Sequence, residues 1–474
     1  MRVLFTTHTA KSHLFAQVTL AWALRAAGHE VHIAGQPDLA DDITGTGLTA
    51  VTAGAPLDLT TQMESYETND NPGGPGDTGQ DPGARHEADG ADDHRAVAER
   101  FEYWTDMTEI RPEKLTYTYM HGVFTAMTTH VFQQYSAPAM IDDLVRHARW
   151  WQPDLVLWDP LTFAGPIAAR ASGAAHARLL FGLDLIGRMR EPYLDAVRRL
   201  PPGQREDPME EWLGWTMRRY GGEFGEDLVT GQRTIDPLPP SLSFPATTDR
   251  LPMRTVTHNG SSVLSDWLRE PRERTRVCLT LGVSHRELLG ADRIPLGEVF
   301  AALATEDIEV VATLDRTQLA SVTDLPDNVR AVDFVPLETL LPSCSAVIHH
   351  GGAGTFNTAL SCGTPQLILP DGVWDTDHKA RLLEEHGAGL RVAEPERADA
   401  ATLRTMLRRL LEERSFTDAA TALRRETMDM PAPSAVVPLL EELAQTGRRG
   451  TAQNPHRPDA PKHRAAHNET GPWQ

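Results

Sequence analysis

The chain has 474 residues, 40% of them hydrophobic and 23% charged, which is enough to fill two domains of roughly 200 residues each. A formal net charge of −21 at pH 7 argues against a surface for nucleic acid or for an anionic membrane. The three cysteines lack metal-ligand spacing and an even count, which favours a reducing cytoplasm over an oxidising compartment.

The first half of the chain alternates strand and helix signals, which predicts a parallel α/β sheet. Its strands are expected at residues 2–7, 30–34, 48–53, 154–158 and 176–181. The first of these is short and is followed by polar residues, so it is predicted to be a strand and not a secretory signal. No apolar stretch approaches the length that spans a membrane.

Two irregular segments interrupt this half. Residues 64–95 are acidic and crowded with Gly, Pro and Asp, which predicts a disordered loop, with a lid or partner-docking loop as the alternative. Prolines from Pro237 onward break the periodicity, so we place a linker at 236–262, after a first domain at 1–235.

A second α/β series follows the linker and predicts a second domain at 263–446. Its strands are expected at residues 276–281, 308–313, 346–349, 366–369 and 389–392. Residues 447–474 are polar and are predicted to be a disordered tail. The fold class is therefore α/β, with two Rossmann-like domains whose parallel sheets face a central cleft.

The most informative motif follows the apolar run Ala346 to Ile348 and reads His-His-Gly-Gly-Ala-Gly-Thr over residues 349–355. It predicts a strand, a glycine turn and a helix start. Glycines allow the backbone to approach a bulky anion, and the free N–H groups and dipole of a helix N-terminus attract phosphate. This combination predicts a diphosphate site that needs no metal.

Further segments follow in order: Gly-Thr-Pro-Gln over 363–366, Trp-Asp-Thr-Asp over 374–377 and His-Gly-Ala-Gly over 386–389. Together with the glycine turn they resemble the donor-binding signature of GT-B fold, family 1 glycosyltransferases. The resemblance implies that His350 contacts the donor diphosphate. It further implies phosphate and nucleobase contacts from a set of residues in the turns around it: Ser284, Val335, Gly351, Gly352, Gly354 and Thr355.

Asp375 matches the acidic member of the Asp-Gln pair that binds donor-sugar hydroxyls in this family, but Thr376 replaces the amide. A sugar with fewer hydroxyls fits that replacement, because a buried amide without a partner is costly. The resemblance thus implies a thymidine-diphosphate (TDP) deoxysugar as donor and no metal or other cofactor. A metal-binding acidic pair at Asp375 and Asp377 is the alternative interpretation.

Transfer to a hydroxyl requires a base on the opposite wall of the cleft. By resemblance, His13 in the loop after the first strand is that base, with His8 as the alternative and a structural histidine as the plain interpretation. Asp159 ends a predicted strand at the same sheet edge, so it is a candidate to orient the imidazole. It is equally interpreted as a cap for the turn at Pro160.

Most of the chain, especially residues 12–31, 151–158, 230–236 and 277–284, resembles the antibiotic-pathway enzymes that attach deoxyaminosugars to macrolide and anthracycline aglycones. The resemblance implies inverting transfer of a deoxysugar, with an aminodeoxysugar favoured, to a hydroxyl of a hydrophobic polyketide. It also implies a cytochrome P450-like activator that binds near residues 94–150. A homodimer is left open.

Three rivals are weighed against this interpretation. A nicotinamide-dependent oxidoreductase would need glycines in the first turn, and residues 7–13 contain none. A nucleotide-sugar epimerase of the same fold would consume donor without any acceptor. A non-catalytic subunit would keep the nucleotide site but would not need His13 together with Asp159.

Overall fold

The computed structural model describes residues 1–57, 106–245, 249–281, 296–314, 318 and 325–451. The predicted loop at 64–95, the predicted phosphate contact Ser284 and residues 452–474 of the predicted tail lie outside the described residues.

The first sheet has seven parallel strands in the order β3-β2-β1-β4-β5-β6-β7. The strands are β1 (Arg2–Thr6), β2 (Glu30–Gly35), β3 (Thr49–Thr52), β4 (Leu155–Trp158), β5 (Ala175–Leu179), β6 (Thr234–Asp236) and β7 (Arg250–Pro252). The helices around it are α1 (Lys11–Ala26), α2 (Ala40–Gly45), α3 (Tyr117–Met127), α4 (Pro138–Trp151), α5 (Ala164–Ser172), α6 (Leu185–Arg199), α7 (Pro208–Arg219) and α8 (Asp227–Thr230). A π-helical turn, Thr128–Phe132, continues α3.

The second sheet has six parallel strands in the order β10-β9-β8-β11-β12-β13. The strands are β8 (Thr275–Thr280), β9 (Ile308–Thr313), β10 (Val329–Val332), β11 (Ala346–His349), β12 (Gln366–Ile368) and β13 (Gly389–Arg391). The helices are α9 (Leu296–Leu303), α10 (Leu337–Leu340), α11 (Ala353–Cys362), α12 (Thr376–Glu385), α13 (Ala400–Glu412), α14 (Arg414–Asp429) and α15 (Pro433–Thr451). The two-domain α/β architecture predicted from the sequence is confirmed.

Both faces of the first sheet are covered, which explains why a central strand such as β4 is apolar and buried at every position. In β1, Val3 and Phe5 pack into one core cluster and Leu4 packs into another on the opposite face. Because all strands of a sheet run in the same direction, their carboxyl ends meet at one edge. The loops that leave those edges form the candidate site.

The first domain extends further along the chain than the sequence indicates. Strand β7 pairs in parallel with β6, so residues up to Pro252 belong to the first sheet and not to the predicted linker at 236–262. Arg250 Nη1 donates to Asp236 Oδ2 at 2.8 Å and ties the two strands together. The strand is only three residues long and contains a proline, so periodicity could not reveal it.

The chain also returns to the first domain at its end. Helix α15 buries Val436, Val437, Leu440 and Ala444 in the core cluster that contains β1, β4 and β5. His29 Nε2 lies 2.9 Å from Glu441 Oε1 of this helix. The predicted second-domain boundary at 446 and the tail from 447 are therefore corrected, because α15 covers the first sheet and continues to Thr451.

Across the ranges that the structure describes, no helix combines the length and the apolar character needed to cross a bilayer.

Helix α15 offers a direct test of this packing. Leu440→Ala should lower the free energy of unfolding by about 2–5 kcal/mol, because it leaves a cavity beneath the first sheet. The measurement is urea unfolding followed by tryptophan fluorescence. Leu439→Ala on the same helix is the matched control, since Leu439 is 36% exposed and Leu440 is fully buried. Equal losses for both variants would contradict the docking of α15.

Candidate active site

His13 and Asp159 meet at the carboxyl edge of the first sheet. His13 lies in the first turn of α1, and Asp159 follows β4 directly, next to β1 in the sheet. His13 Nδ1 lies 2.6 Å from Asp159 Oδ2. The hydrogen bond leaves the other ring nitrogen, Nε2, as the position that can accept a proton.

Asp159 is 2% exposed and is held at both oxygens. Its Oδ1 accepts the Leu161 N–H at 2.9 Å, so the carboxylate caps the turn as well as binding His13. Burial by itself would raise the pKa of Asp159, but the charges and hydrogen bonds of His13 and His8 outweigh it and hold this pKa far below its ordinary value. The carboxylate is therefore ionised, and the shared proton belongs to His13 Nδ1.

His8, the alternative base, lies behind this pair. Its Nδ1 is 3.7 Å from Asp159 Oδ1, and its ring stacks on Tyr135 at 4.2 Å between centroids. Burial first, and then the neighbouring charge of His13, lower the pKa of His8. His8 is 3% exposed whereas the His13 side chain is 15% exposed, so His13 is the better placed of the two to meet a substrate.

The same three residues have the composition of a two-histidine, one-carboxylate metal site. Each of His8, His13 and Asp159 offers one ligand atom, and these atoms lie within 4.8 Å of one another. However, the 2.6 Å separation between His13 and Asp159 is that of a charge-assisted hydrogen bond.

The glycine turn of the second domain is shaped by His349. Its Nδ1 accepts the Gly351 N–H at 3.1 Å and its Nε2 lies 2.8 Å from Gln366 Oε1, which fixes the neutral tautomer with the proton on Nε2. Burial first, and then the charge of His350, lower the pKa of His349 to about 3. Gly351 has φ +98°, so this turn favours glycine.

His350 and the start of α11 form the predicted anion-binding surface. Gly352 precedes the first residue of α11, and no side chain within the described residues caps this helix. A Cβ on Gly352 would lie 2.6 Å from His350 Nε2, so the imidazole lies directly against the turn. The first N–H groups of α11 and the His350 ring are thus presented together, as a diphosphate requires.

The other predicted donor contacts are placed as follows. Gly354 and Thr355 lie in the first turn of α11, and Thr355 is 9% exposed. Gly351 uses its N–H internally, so it contributes the shape of the turn and not a free donor. Val335 is buried with Leu340 and Val347, which leaves only its backbone to contact a nucleobase.

Asp375 and Thr376 begin α12 and are both buried. The Thr376 hydroxyl donates to Asp371 Oδ1 at 2.9 Å, so its proton is already used. Asp375 Oδ2 accepts the Leu183 N–H of the first domain at 2.7 Å, and Asp375 Oδ1 lies 2.8 Å from Lys379 Nζ. Asp375 therefore lies at the junction of the two domains.

Residues 181–183 connect the two halves of the site. The Phe181 ring lies 4.2 Å from the His13 ring and 6.1 Å from the Trp374 ring, between centroids. Gly182 allows the close approach of the domains, since a Cβ there would lie 2.2 Å from Asp375 Oδ2. The segment 181–183 therefore contacts His13 of the first domain on one side and Trp374 and Asp375 of the second domain on the other.

Several residues of this cleft are absent from the sequence-based prediction, namely Asp371, Lys379, Phe181 and Gly182. The Oδ2 atom of Asp371 lies 3.9 Å from His350 Nε2. Lys379 could have been found as the lysine one helical turn after Asp375. Phe181 and Gly182 follow β5, where loops at the carboxyl edge are expected to carry function.

The buried His349 predicts a dependence of stability on pH. Its pKa in the folded chain is about 3. The unfolded imidazole titrates near 6.5, so the free energy of unfolding should fall by about 1.4 kcal/mol per pH unit below that value. Urea unfolding at several pH values should give a shallower dependence for His349→Gln than for the unmodified protein. Equal slopes would contradict a neutral His349.

Comparisons with known proteins identify the family and the fold of the chain. Residues 22–74 and 83–282 match the family described as erythromycin biosynthesis protein CIII-like, N-terminal domain, and residues 297–443 match its C-terminal domain. Aclacinomycin-T 2-deoxy-L-fucose transferase of Streptomyces galilaeus is 55% identical, over 95% of this chain and 97% of that protein. The 10-deoxymethynolide desosaminyltransferase of Streptomyces venezuelae is 45% identical, over 96% of this chain and 100% of that protein.

Among solved structures, the glycosyltransferase VinC in complex with dTDP superposes with a TM-score of 0.80. It is 43% identical and covers 94% of this chain and 100% of its own. The chain therefore belongs to the erythromycin CIII-like family of glycosyltransferases and has the GT-B fold.

Proposed function

We propose that this glycosyltransferase moves a deoxysugar from a TDP donor to a hydroxyl of a hydrophobic polyketide aglycone, with inversion at the anomeric carbon. The observation that carries the proposal is the hydrogen bond between His13 and Asp159 at the cleft that also contains the start of α11. A base and a diphosphate site on opposite walls suit a single displacement.

On the acceptor side, His13 Nε2 takes the proton of the attacking hydroxyl. Asp159 supports this step because its ionised carboxylate keeps the Nδ1 proton in place and stabilises the imidazolium that forms. His8 places a second imidazole beside the other carboxylate oxygen of Asp159, Oδ1. The acceptor oxygen then forms its bond to the anomeric carbon.

On the donor side, the bond between the anomeric carbon and the diphosphate oxygen breaks. The negative charge passes to the diphosphate, where the first N–H groups of α11 and the ring of His350 stabilise it. The residues that hold this charge belong to the chain itself, so we propose that no metal is required. The nucleobase of the donor binds against the backbone of Val335.

Relatives support the donor class. The Streptomyces galilaeus relative is a 2-deoxy-L-fucose transferase, and VinC was solved with dTDP. We extend these two features, a deoxysugar and a thymidine diphosphate, to this chain. The free cysteines, Cys278, Cys344 and Cys362, suit the cytoplasmic setting predicted from the sequence.

We also propose a cytochrome P450-like activator that docks on the first domain. Helix α4 lies within the predicted contact region 94–150, and its Trp150 is 74% exposed. A large exposed aromatic ring is typical of residues that become buried against a partner. Self-association as a homodimer stays a prediction.

One assay distinguishes glycosyl transfer from the two remaining alternatives, an epimerase and a non-catalytic subunit. The purified chain is incubated with TDP-deoxysugars and a panel of macrolide and anthracycline aglycones, with and without a P450-like activator protein, and glycosides are detected by mass. We expect product only when both donor and aglycone are present, with the anomeric configuration inverted when product is examined by NMR. Conversion of the TDP-sugar into an epimeric TDP-sugar without aglycone would favour an epimerase, and no turnover in any combination would favour a non-catalytic subunit.

In the same assay His13→Ala should lower turnover by about 10²–10⁴-fold, because the acceptor proton loses its base. The affinity for TDP, measured by calorimetry, should stay unchanged since His13 lies on the opposite wall. His386→Ala is the control, because His386 is exposed and lies at the end of α12, away from the cleft. Full turnover by the His13 variant would show that His13 is not the catalytic base.

A further inference from the structure

Asp375, the expected contact for the donor sugar, already has a cation beside it. Its Oδ1 lies 2.8 Å from Lys379 Nζ, one turn along α12, and its Oδ2 accepts the Leu183 N–H at 2.7 Å. Asp375 is 2% exposed and Lys379 is 1% exposed. The charge of this carboxylate is thus matched within the protein.

Lys379 is fixed in this position by its surroundings. Its Nζ lies 5.4 Å from the centroid of the Phe356 ring on α11, over the face of that ring. Its charge is also one of the causes that lower the pKa of His349, after burial and the charge of His350. A buried ammonium between α11 and α12 cannot turn into solvent, so Asp375 keeps this partner.

The other two buried carboxylates described at the cleft are matched as well. Asp159 binds His13 and lies close to His8. Asp371 accepts from the Thr376 hydroxyl and the Val373 N–H, and its second oxygen lies 3.9 Å from His350. Each of these three carboxylates therefore has a basic side chain beside it.

We propose, on the basis of the function proposed above, that the donor carries a neutral deoxysugar and not the cationic aminodeoxysugar that the sequence favours. A protonated amino group entering this cleft would be desolvated without an unmatched carboxylate among the three buried ones just described, which is costly. A neutral hydroxyl has no such requirement. It can donate to a remaining lone pair of Asp375, because each carboxylate oxygen accepts two hydrogen bonds.

The aromatic rings at the cleft do not change this preference. Phe181 and Trp374 lie 6.1 Å apart between centroids and offer faces that could attract a cation. The same faces suit the methyl and methylene groups that a deoxysugar has in place of hydroxyls. A ring face also cannot accept the N–H of an ammonium as strongly as a carboxylate does.

The test compares two donors that differ at one position, a TDP-2,6-dideoxyhexose with a 3-hydroxyl group and the same compound with a 3-dimethylamino group. Both are offered together at neutral pH with the best aglycone, and the products are quantified by mass. We expect kcat/KM to favour the hydroxyl donor by about tenfold or more. An equal rate or a preference for the amino donor would overturn the inference and leave the proposed transferase function standing. No transfer from either donor would count against the function itself.

Variants at Lys379 test whether the ion pair is the cause. Lys379→Met leaves Asp375 without its cation. The kcat/KM for the amino donor should therefore rise relative to that for the hydroxyl donor, because the ammonium of the amino donor replaces the missing charge. Lys379→Arg keeps the charge and should keep the original preference. Melting temperature and TDP affinity establish that each variant is folded. An unchanged donor ratio in folded Lys379→Met would contradict the role of the pair.

Discussion

The closeness of the two sheet edges is the constraint on which the site depends. Neither edge carries a complete site, since the His13–Asp159 pair belongs to the first sheet and the predicted anion-binding turn belongs to the second. The Leu183 N–H bound to Asp375 joins them, and Gly182 lets that contact form because any Cβ there would collide with the carboxylate. Catalysis by positioning requires such a fixed separation between acceptor and donor.

Buried charges in this cleft are organised in pairs, and each pair has a separate task. In the proposed mechanism, Asp159 with His13 prepares a base, Asp371 lies beside His350, which is proposed to contact the diphosphate, and Asp375 with Lys379 lies where the sugar is expected. Removing one member of a buried pair is costly because it leaves the other charge uncompensated. These pairs therefore hold the shape of the site while they set its chemistry.

Local signals in the sequence were sufficient to predict the alternation of strands and helices that recurs in both domains. Ten of the strands and the turn at 349–355 follow from apolar runs bounded by glycine and polar residues, whereas the short strands β6, β7 and β10 were not predicted. The pairing of His13 with Asp159 follows from their places after β1 and β4. Strand β7 and the return of α15 depend on contacts between distant segments. The partners of Asp375 arise in the same way, since Leu183 is 192 positions away along the chain.

Replacement of Asp159 by asparagine tests the central claim most directly. The amide would donate to His13 Nδ1 and place the ring proton on Nε2, where it blocks acceptance of the acceptor proton. We predict that turnover falls by about 10²–10⁴-fold while TDP affinity is unchanged. The matched control is Asp227→Asn, which alters a second histidine–carboxylate pair, with His176 at the opposite edge of the sheet, 3.1 Å apart. Full turnover by Asp159→Asn, or an equal loss in the control, would contradict the account.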